Sequence, residues 1–200
     1  MLWAARERIQ DLQRDHRFRY IIVFKNHGAA AGASIAHPHA QILSLDFVPP
    51  AVTAALTRFA AGGADLVDAD ATRAEELETV VVAHGRTRAW CGAASSSPYE
   101  VRVADRDAGP RFAGASDAAL QGIAVTIRDV LAGLASVLAD APYNVVVHDA
   151  PTRGADRYHW WIRITPRVGV PAGFELGTGV LVETVDPRRA ADVLRTAMRP

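Results

Sequence analysis

Cysteine is nearly absent: Cys91 stands alone among 200 residues. One thiol excludes an internal disulfide, rules out a cysteine-rich zinc cluster built from this chain, and suits a reducing, cytoplasmic location. An excess of either charge is absent too, since 22 Lys and Arg balance 22 Asp and Glu. Nothing global draws the chain to nucleic acid or to an anionic membrane, although a local anion site stays open. No run approaches the ~20 apolar residues that span a bilayer. The opening stretch, MLWAARERIQDLQRDHR, lacks the apolar core and small-residue cleavage site of a secretory signal. What remains is a globular chain, 50% hydrophobic and long enough to bury a core without staples.

Periodic segments are plentiful. In residues 1–15, Leu2, Ala5, Ile9 and Leu12 share one helical face. YIIVF (20–24) is short, β-branched and aromatic, which predicts a buried strand. The Ala- and Gly-rich stretch 28–33 predicts a loop, and HAQILSLDF (39–47) a second strand, stopped by Pro49 and Pro50. Helices are expected over 51–61 and 71–77, a hairpin over 78–90 turning near His84–Gly85, and a strand over 98–104. Asp105-Arg106-Asp107 reads as a solvated turn. The clearest helix runs from Asp117 to Asp140, capped by Ser116 or Asp117. Strands over 143–148, 160–165 and 179–185 and a closing helix over 187–198 complete an α+β class with an antiparallel sheet and helices.

One pattern occurs twice. IIVFKN is followed, 11 residues after Asn26, by His37, which opens HPHAQI. NVVVHD is followed, 11 residues after His148, by His159, which opens HWWIRI. In the second copy Trp161 stands at the place of His39 and Arg163 at that of Gln41. Two related halves are implied, of which the first alone keeps a reactive imidazole at that place.

The first copy carries the chemistry. On a strand His37, His39 and Gln41 would share one face, and Pro38 would hold His37 extended. Gly28 and Gly32 let the backbone approach a ligand closely, where its N–H groups and the Ser34 hydroxyl can cradle a phosphate. A neutral imidazole attacks a phosphoanhydride well at pH 7, so His39 could take up a nucleoside monophosphate as a phosphoramidate. Gln41 can hydrogen-bond that adduct without acting as acid or base. Transfer to an acceptor phosphate is thereby favoured over hydrolysis.

The segment NHGAAAGASIAHPHAQ closely resembles the active-site segment of galactose-1-phosphate uridylyltransferases, of the histidine-triad superfamily. The likeness continues through PYE (98–100), PYNVVVHDAP (142–151), HWWIRITPR (159–167) and AGFELGTG (172–179), and so covers nearly the whole chain. It implies a histidine-triad-like fold, with residues 1–50 ending a catalytic first half and 51–200 forming a degenerate second half. The implied reaction moves UMP from UDP-glucose to galactose 1-phosphate through a uridylyl-histidine. Carried over by position, His39 is the nucleophile and Gln41 steadies the adduct. Asn26 and Ser34 meet the nucleotide phosphates beside Gly28 and Gly32, and Phe174 and Glu175 meet the hexose phosphate.

The same resemblance makes His37 a zinc ligand, its family partners being a cysteine pair and a further histidine that this sequence does not contain. No organic cofactor is implied. A second metal site of the family needs an acidic residue after the HPH strand and a later His-x-His. Here PPAVTAALTRF and Trp161 stand in those places, so that site is expected to be absent, with His148 and His159 as satisfied core or sheet-edge residues. Small-molecule partners are expected: a nucleotide sugar and a sugar phosphate, without nucleic acid or membrane. An exposed YIIVF edge would invite pairing, so a homodimer is among the expected assemblies. The rival readings are a phosphorylase of ADP-glucose or dinucleotides in the same superfamily, and a folded, non-catalytic fragment.

Overall fold

The computed structural model describes residues 1–35, 37–62 and 65–199. Among the described residues, seven strands form one antiparallel sheet: β1 (Tyr20–His27), β2 (Gln41–Leu45), β3 (Val80–His84), β4 (Thr87–Trp90), β5 (Val101–Asp105), β6 (Tyr143–His148) and β7 (Trp161–Pro166). Their order is β2-β1-β6-β7-β5-β4-β3. Alternation along each strand makes two unlike faces. Ile21, Val23, Val145, Val147, Ile162, Ile164, Val101 and Val103 enter the main core. They meet α1 (Leu2–Leu12), α4 (Asp117–Leu138) and α6 (Pro187–Ala197) there. The opposite face carries Phe24, Asn26, Asn144, Val146, His148, Trp161 and Arg163. Two helices, α2 (Pro50–Gly62) and α3 (Leu66–Glu76), cover part of it, where Phe59, Val67, Ala71 and Ala74 pack with Trp90, Ala104 and Tyr158.

Side chains cap three of the helices, and of these caps Ser116 was expected. Ser116 accepts from Ala119 N–H (3.1 Å) to start α4, Asp65 accepts from Val67 and Asp68 to start α3, and Asp186 caps α6. By length and composition alone, α4 is apolar enough to cross a membrane, which corrects the expectation that no run approaches that length. In the fold its Leu120, Ile123, Val130 and Leu134 are buried in the core, as a core helix requires.

The repeated pattern is a structural one. β1 pairs with β2, and β6 with β7. The first hairpin's pairs Ile21–Ser44, Ile22–Leu43, Val23–Ile42 and Phe24–Gln41 correspond to Tyr143–Pro166, Asn144–Thr165, Val145–Ile164 and Val146–Arg163 in the second. The register is identical. β1 and β6 also pair with each other, and Phe24 lies opposite Val146, its own counterpart. A local two-fold therefore passes between these residues and brings the two hairpins side by side.

Three expectations change. Residues 179–185 are not a strand; Val180, Leu181 and Val182 are 55%, 49% and 49% exposed. Their β-branched pattern pairs with no strand of the sheet, and strand preference is mostly fit to neighbours. β2 begins at Gln41, so His37, Pro38 and His39 precede the ladder, where the missing N–H of Pro38 does no harm. Nor is Asp105-Arg106-Asp107 merely solvated. Asp105 is buried and accepts from Asp107 N–H (3.0 Å), while Arg106 reaches Asp68 (2.6 Å) and Thr72 (2.9 Å) on α3.

Cys91 is buried, and burial pushes its thiol up to about 12, leaving it inert at neutral pH. Burial likewise pushes the Asp149 carboxyl up to about 7, against hydrogen bonds from Phe112 N–H (2.9 Å) and Ala150 N–H (2.8 Å). Unfolded, it titrates near the ordinary carboxylate value of about 3.9. Between those values the folded chain keeps a proton that the unfolded chain releases, so this group's contribution falls as pH rises from about 4 to about 7. Asp149→Asn cannot ionise. Urea unfolding at pH 5 and pH 7 should show stability moving in the variant's favour, relative to wild type, by about 2 kcal/mol across that interval.

Candidate active site

Asn26 ends the inner part of β1, and the chain then turns sharply through Gly28, a short 3-10 turn (Ala29–Ala31) and Gly32. Gly28 has φ 79° and ψ 152°, a region that only glycine adopts readily, and Gly32 is left-handed at φ 82°, ψ 21°. A Cβ on Gly28 would lie 2.9 Å from Cβ and Cγ of Pro142. The loop is thus pressed onto the start of β6.

Two asparagines fasten it. Asn144 Nδ2 donates to Asn26 Oδ1 (2.8 Å) and to Ala31 O (2.9 Å), and Asn26 Nδ2 donates to Gly32 O (3.3 Å). The pair sits in register across β1 and β6. Sequence reasoning singled out Asn26 and missed Asn144, whose only signal was its place in PYN; strand register, not spacing, brings it to the loop. Asn144→Ala should strand Ala31 O and Asn26 Oδ1, costing about 1–3 kcal/mol in urea unfolding and loosening the loop's amide-exchange protection.

Past the loop come the histidines. His37 is exposed and His39 half-buried, with ring centroids 5.7 Å apart in an edge-to-face arrangement at 70°. His39 Nδ1 lies 3.1 Å from His37 O. A carbonyl can only accept, so Nδ1 carries the proton and Nε2 keeps its lone pair. Gln41, half-buried, follows as the first residue of β2, opposite Phe24. Ser34 is exposed in the loop, and its hydroxyl makes no hydrogen bond to a described residue. The structure therefore gathers Asn26, Gly28, Gly32, His37, His39 and Gln41 at one end of the sheet, beside its incompletely covered face.

Phe174 and Glu175 lie apart from this group, on the short helix α5 (Gly173–Thr178) between β7 and α6. Phe174 is 55% exposed, and Glu175 accepts from Ala172 N–H (2.9 Å) while lining a small hollow of about 110 Å³ with Ser97, Pro98 and Thr184. Ser97 donates to Pro166 O (2.7 Å) at the end of β7, so this hollow adjoins the same end of the sheet as Asn144. No hydrogen bond among the described residues joins Glu175 to the histidines.

The histidines of the second hairpin differ. His159 is buried, its Nε2–H donating to Asp105 O (2.9 Å) and its Nδ1 lying 2.5 Å from Asp65 Oδ2. It is a satisfied core residue. His148 stacks on Trp161, centroids 4.1 Å apart and planes 7° from parallel. Burial, then the charges of Arg163 and Arg102, lower its pKa to about 3, which keeps the ring neutral. Trp160 points into the core against Phe112, opposite to Trp161.

Among the described residues no three His, Cys, Asp or Glu side chains stand close enough to share a metal ion. His37 alone does not fit zinc, whose structural sites take four ligands.

The decisive comparison covers almost the entire chain: a family described as a domain of unknown function, DUF4921, matches residues 3–200. The chain belongs to that family. It is also 29% identical over 203 residues to an ADP-glucose phosphorylase of Arabidopsis thaliana, with 98% of this chain and 57% of the relative covered. A galactose-1-phosphate uridylyltransferase of Streptomyces lividans is 27% identical over 216 residues, covering 96% of this chain and 60% of that protein. The solved structure of an ADP-glucose phosphorylase from Arabidopsis thaliana with bound ADP-glucose superposes with a TM-score of 0.87 at 28% identity, over 97% of this chain and 63% of its own. The DUF4921 chain thus spans about three fifths of the curated relatives it matches. The likeness to uridylyltransferases read from NHGAAAGASIAHPHAQ holds in sequence and in fold.

Proposed function

We propose that this DUF4921 chain carries the transfer centre of a nucleotidyltransferase that moves a nucleoside monophosphate from a nucleotide sugar to an acceptor phosphate. The supporting observation is the bond between His39 Nδ1 and His37 O. It assigns the proton to Nδ1 and leaves Nε2 as the nucleophilic atom. In the first half-reaction Nε2 forms a bond to the α-phosphorus as the phosphoanhydride P–O bond breaks, and the sugar 1-phosphate leaves. His37 O then faces an Nδ1–H made more acidic by the new N–P bond, which stabilises the adduct. In the second half-reaction an acceptor phosphate oxygen attacks phosphorus, the N–P bond breaks and His39 is regenerated. The Gly28–Gly32 loop, held by Asn144, offers backbone N–H groups to the phosphates, with Asn26 and Ser34 beside it and Gln41 as a neutral hydrogen-bond partner for the adduct.

For the donor and acceptor we infer UDP-glucose and a hexose 1-phosphate, galactose 1-phosphate, with Phe174 and Glu175 on the sugar side. A second reading, ADP-glucose as donor and inorganic phosphate as acceptor, is favoured by the match to the Arabidopsis phosphorylase over 98% of the chain. Intact mass after incubation with each nucleotide sugar separates them. A gain of one UMP from UDP-glucose alone supports the first, and of one AMP from ADP-glucose alone the second. No gain from either, by a chain shown to be folded, overturns nucleotidyl transfer by this polypeptide.

A further inference from the structure

A cavity of about 310 Å³ opens on the partly covered sheet face, beneath α2 and α3. It lies over the second hairpin. His148 and Trp161, which stand in the positions of Asn26 and His39, both line it. The cavity is therefore the two-fold counterpart of the ground around the reactive loop, with an indole where the nucleophile would be. A tryptophan cannot attack phosphorus, but it can bind.

The walls are aromatic: Trp90, Trp161 and Tyr158. Asp70 accepts from Trp90 Nε1–H (2.8 Å) and from Arg102 Nη1–H (2.7 Å), fixing the indole and the guanidinium with one carboxylate. Arg102 in turn lies over the Trp161 ring, 5.7 Å from its centroid. The pocket is thus held in shape before anything enters. With Asp70 spent on Arg102, the charge left over is that of Arg58, an exposed side chain of α2 with no carboxylate partner among the described residues. His148 Nε2, Arg102 Nε and Arg163 Nε are buried without a hydrogen-bond partner among the described residues, and buried polar groups of this kind are ordinarily satisfied. His148 remains a neutral ring, for the reasons of burial and neighbouring charge given above.

We propose that the second hairpin carries a non-reactive binding site for a small organic anion bearing a planar ring, the ring lying among Trp90, Trp161 and Tyr158 and the anionic group meeting Arg58. The volume lies at the lower end of small-molecule pockets, about 300–1,000 Å³, which suits one ring system with one charged group. The aromatic walls supply apolar and edge-on contact, since the Trp161 ring already carries His148 and Arg102, and Arg58 supplies a charge-assisted hydrogen bond. The proposal does not depend on nucleotidyl transfer and would hold for a chain with no reactive histidine.

Phenyl phosphate and AMP are the probes, titrated into the full chain and read by tryptophan fluorescence and by calorimetry. Both should bind with Kd below about 1 mM and quench the emission, whereas inorganic phosphate and phenol should bind at least tenfold more weakly. Arg58→Ala should weaken both probes about tenfold, and Ala55→Leu, which extends a lining residue of α2 into the cavity with a good helix former, should abolish binding. His39→Ala should leave phenyl phosphate affinity unchanged. Absence of binding at millimolar probe overturns the proposal. So does binding that is lost with His39→Ala yet survives Ala55→Leu, because the probe would then occupy the first hairpin. Equal affinity for inorganic phosphate would reduce the site to a surface arginine and overturn it as well.

Discussion

His39→Ala is expected to remove the nucleotidyl adduct entirely and to lower turnover on the order of 10⁴-fold or more, since covalent catalysis has no second nucleophile to fall back on. The fold should survive, because the half-buried ring's contacts, to His37 O and to the His37 ring, are both local. Intact mass with the productive nucleotide sugar, followed by steady-state rates, checks both statements. His37→Ala is the informative companion. The bond to residue 37 comes from its backbone carbonyl, so this variant keeps the tautomer of His39 and should keep the adduct. An adduct that persists in His39→Ala and vanishes in His37→Ala would move the nucleophile to His37.

Gly28→Ala should be the most damaging single-methyl change in the glycine loop. It asks a Cβ to accept φ 79°, ψ 152° and to share space with Pro142 at 2.9 Å. Backbone strain of this kind costs about 1–3 kcal/mol, and displacing a proline ring at the start of β6 adds a comparable overpacking term. A loss of about 3 kcal/mol or more is expected, seen as a fall in Tm of roughly 6–12 °C for a chain of this size. Gly32→Ala gives the contrast. Its Cβ would meet only Asn26 Nδ2, at 3.5 Å, so the left-handed backbone is the main cost, about 1 kcal/mol. Equal losses at both positions would show that conformation alone, and not the press of the loop on Pro142, governs this segment.

Much of this was legible in the chain itself. YIIVF, YNVVVH and the Asp117 helix announce their structures through β-branched runs and a helical stripe with a Ser116 cap, because local chemistry suffices there. The glycine loop was legible too, since the positive φ of Gly28 and its press on Pro142 suit few other residue types. Asn144 was not, nor the ties of Arg106 to α3, because both depend on strands and helices that meet only in the fold. Residues 179–185 differ for the same reason in reverse: the pattern of a strand is present and the pairing partner is not.

The bond between Asn144 and Asn26 joins residues 118 positions apart. During synthesis, β1, the glycine loop and β2 emerge long before β6 exists, and an isolated pair of strands is marginal in water. The loop can therefore take its final shape only after the second hairpin has been made and docked along β1. Closure over such a separation is slow, so the loop that leads to His39 should be among the last parts of the molecule to order, and refolding should recover strand signal before it recovers the loop's amide-exchange protection.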